Sequence, residues 1–406
     1  MELLRQTKTY RLLIGNVFDG ISNGLFMMAL PWVMLTQFDN DNSGVVVAIV
    51  ATICTASSLF LTPFFATLID RYSRKNIMVI GQAIQFSAAS ILVLVTFMQV
   101  PSLYLLAAVQ VIFWLVNDLS WFASNALVQE NFNKKEYPSI SSYQEIIMQS
   151  VTLVSGGLGV MLLEFWSMKE FALFASGASF LGMTAYLTMP YYRKVRNSKS
   201  VNFIHQMAQS RSIFAANPKF YLFIVLSCLS YPVLTFLGKL VPVYLAEQGA
   251  QGHWFAMWSS SYGIGALICG FIVTLLIKRL QLEKLMSYSM VVLAIILFAI
   301  ALFASPLSLI LLTIVFGFFN SLNRISRTNK MNLEVPMEHR GRVDGGIQIF
   351  SSLMQSLSYL LIAWLAANQN SELGFVIAGG VLLFAALLML FMKPWSEDQY
   401  AVFPST

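Results

Sequence analysis

Leu68-Ile69-Asp70-Arg71-Tyr72-Ser73-Arg74-Lys75 lies between two apolar runs and returns in degraded form 208 residues later as Leu276-Ile277-Lys278-Arg279. Met148-Gln149-Ser150 recurs as Met354-Gln355-Ser356 at an offset of 206, and a looser echo relates Pro31 and Gln37 to Pro242 and Gln248. Three short matches near one offset, about half the chain length, point to a duplicated unit.

Composition says what kind of unit it is. Of the 406 residues 57% are hydrophobic and only 11% are charged, and the mean hydropathy is +0.69. A soluble fold of this size cannot hide so much apolar surface, so most of it faces lipid or other helices. A spanning helix needs about 20 mainly apolar residues. Twelve stretches qualify: 10–37, 44–69, 76–99, 103–129, 141–165, 169–190, 219–247, 253–277, 283–303, 306–330, 343–367 and 371–392. The expected fold is an all-α integral membrane protein of twelve transmembrane helices, arranged as two pseudo-symmetric six-helix halves around a central cavity. Residues 1–190 form the N-terminal half, 191–218 a basic linker, 219–393 the C-terminal half and 394–406 a short tail. Duplicated helical halves are the common architecture of secondary transporters, whose substrate sites lie between the halves.

Charge sets the expected orientation. With both termini in the cytoplasm, 21 of the 25 Lys and Arg fall on the cytoplasmic side, including Arg5, Lys8, Arg11 and the linker residues Arg193, Lys194, Arg196, Lys199 and Arg211. Lys169 falls outside, and Lys239, Arg324 and Arg327 lie within spans. This is the positive-inside pattern of a bacterial-type inner membrane protein. The pI near 9.1 therefore reports topology and not nucleic-acid binding. The first apolar run is too long for a cleaved signal and carries Asp19, so it is expected to remain as a span. Cys54, Cys228 and Cys269 all fall in spans and are expected to be buried and unpaired. The linker reads either as an amphipathic helix on the membrane face or as a flexible tether.

The segment Ala66-Thr67-Leu68-Ile69-Asp70-Arg71-Tyr72-Ser73-Arg74-Lys75 resembles the signature of the major facilitator superfamily, Gly-x-Leu-Ala-Asp-Arg-x-Gly-Arg-Lys, between the second and third spans. Leu68, Asp70, Arg71, Arg74 and Lys75 match, whereas Ala66 and Ser73 replace both glycines. The loops Val128–Pro138 and Val335–Val343, above all Arg340-Gly341-Arg342-Val343, look like the branch of that family holding macrolide efflux proteins and the enterobactin exporter. The resemblance implies a monomeric, proton-coupled exporter with protons, membrane lipids and a small molecule as partners. It also implies that Asp70 meets the start of the eleventh span, around Val343–Gly346, where free N–H groups and the helix dipole favour an anion. Asp70, Arg71, Arg74 and Lys75 would then form a conformational latch, the basic residues meeting lipid headgroups. The alternative is an ordinary positive-inside loop. Two departures qualify the likeness. Asn117-Asp118 stands where many proton-coupled exporters carry arginine, and Ser155-Gly156-Gly157-Leu158-Gly159 is a proline-free version of the antiporter signature.

Ionisable groups in a bilayer cost several kcal/mol and usually face a cavity. Asp19, Asp118, Lys239, Arg324 and Arg327 are such groups, on spans that line the central cavity in the resembled fold. Helical spacing extends each into a stripe: Asn16, Asp19 and Asn23; Trp114, Asp118, Trp121 and Asn125; Tyr231, Thr235 and Lys239; Phe316, Asn320, Arg324 and Arg327; and Gln348, Ser352 and Gln355. Aromatic walls with a few polar groups suit a bulky amphiphile. Asp118 plus the offset of 206 gives 324, so Asp118 and Arg324 are pseudo-symmetric counterparts that could pair across a narrow cavity or form a static buried ion pair. Arg327 and Lys239 could instead snorkel to headgroups. Asp19, with no basic neighbour on its helix, is the candidate proton-exchanging carboxylate. The basic groups tilt the expected cargo towards an anion.

No phosphate loop, His-Glu-x-x-His or Gly-x-Ser-x-Gly motif occurs, and no histidine lies in a span's interior, which speaks against an enzyme, a bound cofactor or an intramembrane metal site. The expected function is secondary active export of a siderophore or drug by alternating access. The alternatives are a proton-symport importer on the same fold and a transporter-like sensor or scaffold that moves nothing.

Overall fold

The computed structural model describes residues 2–36, 43–98, 101–194, 210–250, 253–303, 305–368 and 370–392. The linker readings for 195–209 and the tail from 393 onward lie outside these residues. The long helices, in chain order, are α1 (Thr7–Thr36), α2 (Ser43–Arg71), α3 (Arg74–Met98), α4 (Leu103–Asn131), α5 (Tyr137–Phe165) and α6 (Met168–Leu187). After a short helix, Ser210–Ala216, come α7, broken into Pro218–Cys228 and Ser230–Glu247, then α8 (His253–Arg279), α9 (Leu282–Phe303), α10 (Pro306–Glu334), α11 (Arg340–Ala367) and α12 (Glu372–Phe391). Nine helices among the described residues are long and apolar enough to cross a membrane.

Local chemistry sets the helix ends. Ser102 and Ser305 accept hydrogen bonds from the Leu105 and Ser308 N–H groups, and Pro306 occupies the first turn of α10, where its missing N–H costs nothing. Ser167 and Glu170 close a capping box at the start of α6. The break in α7 has a cause in the sequence: Pro232 has no N–H to offer the Cys228 carbonyl, four residues back. The stretch 219–247 is therefore two helical segments within one candidate span, Pro218–Leu245. The Ser227 carbonyl at the break is held from α10 instead, by Asn323 Nδ2 at 2.9 Å and Arg327 Nη1 at 3.0 Å.

The helices segregate into two halves. One set of buried apolar clusters draws only on residues 12–189 and another only on residues 213–389. Within each half the helices approach closely because lipid supplies no hydrophobic drive between them and packing must come from contact. At the α8–α10 crossing a Cβ on Gly317 would strike the Tyr262 carbonyl oxygen and stand 3.0 Å from its carbon. Only glycine fits. Between the halves, α2 packs on α11 and α5 on α8, while α4 and α5 meet α10.

Candidate functional site

A cavity of about 540 Å³ lies between the halves, walled by Asn16, Asp19 and Asn23 of α1, Trp121 of α4, Glu145 of α5 and Arg324 of α10, among others. Proline-free helix at 7–30 presents Asn16, Asp19 and Asn23 as one stripe, as their spacing predicts. Asp19 accepts from Gln82 Nε2 at 2.6 Å and Asn23 Nδ2 at 2.7 Å. Gln82 also donates to Gln85 at 2.9 Å, and Gln85 to Asn23 at 3.0 Å. Asn16 accepts from the Tyr186 hydroxyl at 3.0 Å. Amides alone therefore hold the Asp19 carboxylate, and among the described residues it has no basic partner. Amide donors satisfy a carboxyl group without supplying a counter-charge, so Asp19 stands at the cavity wall without a charged partner among the described residues.

Arg324 and Asp118 do not pair in this structure. Arg324 grips Glu145 from the opposite half, its Nη2 lying 2.6 and 2.5 Å from the two carboxylate oxygens. Ser321 Oγ and Gln149 Nε2 complete the Glu145 shell at 2.9 and 3.0 Å. Asp118 turns towards α2, where its Oδ2 meets the Ser58 hydroxyl, and Trp114 Nε1 donates to the same hydroxyl at 2.7 Å. Arg327 does not snorkel: it is buried, holding the α7 break through Ser227. Lys239 is exposed, away from the cavity wall, and makes no ion pair among the described residues. Tyr231 stands at the α7 break, in reach of Gln355 of α11, whose Nε2 is buried and unpaired. Asn320 is buried with its Nδ2 unpaired, and Gln348 is half-buried off the cavity wall. The predicted polar set is thus divided, with Asp19, Asn16, Asn23, Trp121 and Arg324 brought to one cavity and the others placed around it.

The end of the bundle carrying the linker is closed by a seam between the halves. Asp70, 1% exposed, accepts from the Gly341 N–H at 2.9 Å and from Arg342 Nε at 3.0 Å. The anion thus meets α11 at its first turn, slightly before the expected Val343–Gly346. A Cβ on Gly341 would stand 2.9 Å from Asp70 Oδ1 and strike the Ala66 carbonyl, so glycine permits this approach. Arg74 corrects another expectation. It does not reach headgroups but is buried, paired with Glu130 at 3.4 Å and donating to the Ala126 carbonyl at 2.9 Å and the Met337 carbonyl, across the seam, at 2.6 Å. Lys75 likewise turns inward to the Met189 carbonyl at 2.8 Å, and the Arg71 carbonyl accepts from Arg193 at 2.5 Å. Gln129 crosses to the Asn332 and Val335 carbonyls at 3.2 and 2.5 Å. In the loop before α11, His339 Nδ1 lies 2.6 Å from Arg342 Nη2. Burial, reinforced by that guanidinium, holds the imidazole below its ordinary range.

Glu145 is the chief residue the sequence reading missed, although it lies in the predicted span 141–165, where the same argument from intramembrane charge applied. Gln82, Gln85 and Ser58 carried no comparable signal, since neutral polar residues in a span are common.

The profile of the Major Facilitator Superfamily matches residues 12–358 and again 240–401. Macrolide efflux protein A of Streptococcus pyogenes is 21% identical over 272 residues, 66% of this chain and 66% of that protein, just under two thirds of its length. Among solved structures, a bacterial homologue of the iron transporter ferroportin in an outward-facing state superposes with a TM-score of 0.69, at 17% identity over 95% of this chain and 98% of that one. The human organic anion transporter MFSD10 gives 0.72, at 11% identity over 94% and 99%. At these identities the structural likeness speaks for the fold, and the profile, which covers most of the chain, for the family. This multi-pass membrane protein belongs to the Major Facilitator Superfamily.

Proposed function

We propose that this transporter is a proton-coupled exporter of a bulky amphiphile that is cationic or neutral, working by alternating access. The observation that carries the reading is Asp19: a carboxylate on the wall of a 540 Å³ cavity, held by amides and without a basic partner. Such a group can be offered in turn to a proton and to a cationic cargo. The anionic cargo that the sequence suggested loses its support, because Arg324 is neutralised by Glu145, Arg327 is buried and Lys239 stands apart. A drug-like amphiphile fits this wall better than a carboxylate-rich siderophore. Export is the direction suggested by the likeness to macrolide efflux protein A. The likeness to a ferroportin homologue, at 17% identity, is one of fold and carries no argument about cargo.

Taking both termini as cytoplasmic, as the positive-inside pattern suggests, we read the closed seam as that of an outward-facing state. Asp70, with Arg71, Arg74 and Lys75, would latch it. Release of the Asp70–Gly341 and Arg324–Glu145 contacts would open the other side.

The test is accumulation of ethidium and of a macrolide in cells lacking their own exporters, with and without this protein and a proton gradient. Lowered accumulation that needs the gradient and is lost in Asp19→Asn is the expected result. Transport and pH dependence unchanged in Asp19→Asn would remove Asp19 from the cycle. Unchanged accumulation would overturn the drug-export reading, and profiling of the external medium in iron-poor growth would then test a siderophore.

A further inference from the structure

Asp118 sits beside the cavity and not on its wall. Asn117, Ser120, Trp121, Ser124 and Asn125 of α4 face the cavity, whereas Asp118 is turned about a quarter of the helix circumference away, towards Ser58 of α2. Ser58 is buried, and its single oxygen has three polar neighbours. Trp114 Nε1–H, which can only donate, lies at 2.7 Å. The Cys54 carbonyl, which can only accept, lies at 3.0 Å. The third neighbour is Asp118 Oδ2, which accepts when ionised and can donate when protonated.

Counting protons gives two complete arrangements. With Asp118 ionised, Ser58 donates its proton to the carboxylate and accepts from Trp114. With Asp118 protonated, the carboxyl donates to Ser58 Oγ, which still accepts from Trp114 and turns its own proton to the Cys54 carbonyl. That carbonyl has a second lone pair free beside its helical bond. Both states leave every donor paired, and the heavy atoms need not move. A fixed carboxylate-serine pair without the third neighbour would satisfy only one of them.

The surroundings do not bias the site towards permanent ionisation. Cys54 on α2 and Tyr231 on α7 lie within electrostatic reach of the carboxylate, and Cys228 within reach of Tyr231. Arg324 of α10 acts on Tyr231, and α11 contributes the neutral Gln355 and Ser351. No Lys or Arg among the described residues pairs with Asp118.

We propose that Asp118, Ser58 and Trp114 form a proton-binding site separate from the cargo cavity, in which the Ser58 hydroxyl rotates to serve both protonation states. Asp118 is then a second proton site beside Asp19, so a proton can stay bound while cargo occupies Asp19. That the bound proton drives transport rests on the exporter reading; that it binds does not.

The test uses the purified full-length protein and needs no cargo. The chain has 8 tryptophans, and subtracting the emission of Trp114→Phe from that of the wild type isolates Trp114. Its emission should titrate with pH as one site, stay flat in Asp118→Asn and still titrate in Asp19→Asn. Ser58→Thr, which keeps the hydroxyl, should retain the transition. Ser58→Ala should move its midpoint by about one pH unit or more, the scale of one lost hydrogen bond to a charged group. A flat wild-type signal, or a titration that persists in Asp118→Asn, overturns the site. Identical midpoints in Ser58→Thr and Ser58→Ala overturn the rotor, and this pair decides even where Asp118→Asn does not fold. An intact titration without ethidium or macrolide efflux would remove the export reading and leave the site standing.

Discussion

Glu145 and Arg324 face each other with 4% and 19% of their side chains exposed. Removing one member of such a pair leaves the other as a costly unpaired charge, an effect of about 3–5 kcal/mol for fully buried pairs. The partial exposure of Arg324 puts the expected loss at the lower end of that range. Glu145→Gln should therefore lower the thermal unfolding temperature of the purified protein by several degrees, and Glu145→Gln with Arg324→Gln should recover part of the loss. A double variant less stable than either single one would show that the pair is not the reason. The sequence made Arg324 visible and offered Asp118 as one partner it could meet, whereas in this structure its partner is Glu145. An internal repeat identifies positions related by pseudo-symmetry, and the offset linking 118 to 324 did so. Contact depends on which helices adjoin, and α10 adjoins α5. Asp19 was legible because a lone acid among apolar residues announces itself. The glutamines that hold it were not, because their role appears only when α3 is laid against α1.

At the scale of elements, the α8–α10 crossing is set by Gly317, whose hydrogen faces the Tyr262 carbonyl. Backbone cannot step aside as a flexible side chain can. Gly317→Val should separate the helices and destabilise the C-terminal half by about 3 kcal/mol, at the upper end of the usual overpacking cost. The same change at Gly177, which has open space around its Cβ position, should be nearly neutral; equal unfolding temperatures for the two variants would refute the argument. The long apolar runs made most elements legible in the sequence, because bilayer thickness constrains their length directly. The break in α7 was not read, although Pro232 signals it, since proline in a transmembrane span is often tolerated without one.

At the scale of the whole molecule, the seam ties its state to pH through His339. The imidazole of the folded protein lies below its usual value of 6.5, so the neutral form is the one the closed seam accommodates. The sign follows from linkage. The stabilising contribution is complete above the unfolded value and is lost as pH falls through the folded one, where a second positive charge would face Arg342. Acidification below about pH 6.5 should therefore weaken the Asp70–Arg342 contact and raise the population of the state open at the linker end. Distances between spin labels placed on either side of the seam would report it, and His339→Gln should flatten the dependence. A pH response unchanged in that variant would acquit His339.

The seam has one more property. Arg74, Gln129 and Asp70 of the first half close it largely on main-chain atoms of the second: the Met337, Asn332 and Val335 carbonyls and the Gly341 N–H. A substitution can delete a side chain but not a carbonyl. Mutational sensitivity across this contact is therefore lopsided: single changes in the first half can abolish a bond, whereas Met337 and Val335 can drift in identity without loosening it. A scan of the loop from 335 to 338 would underestimate how much this surface matters.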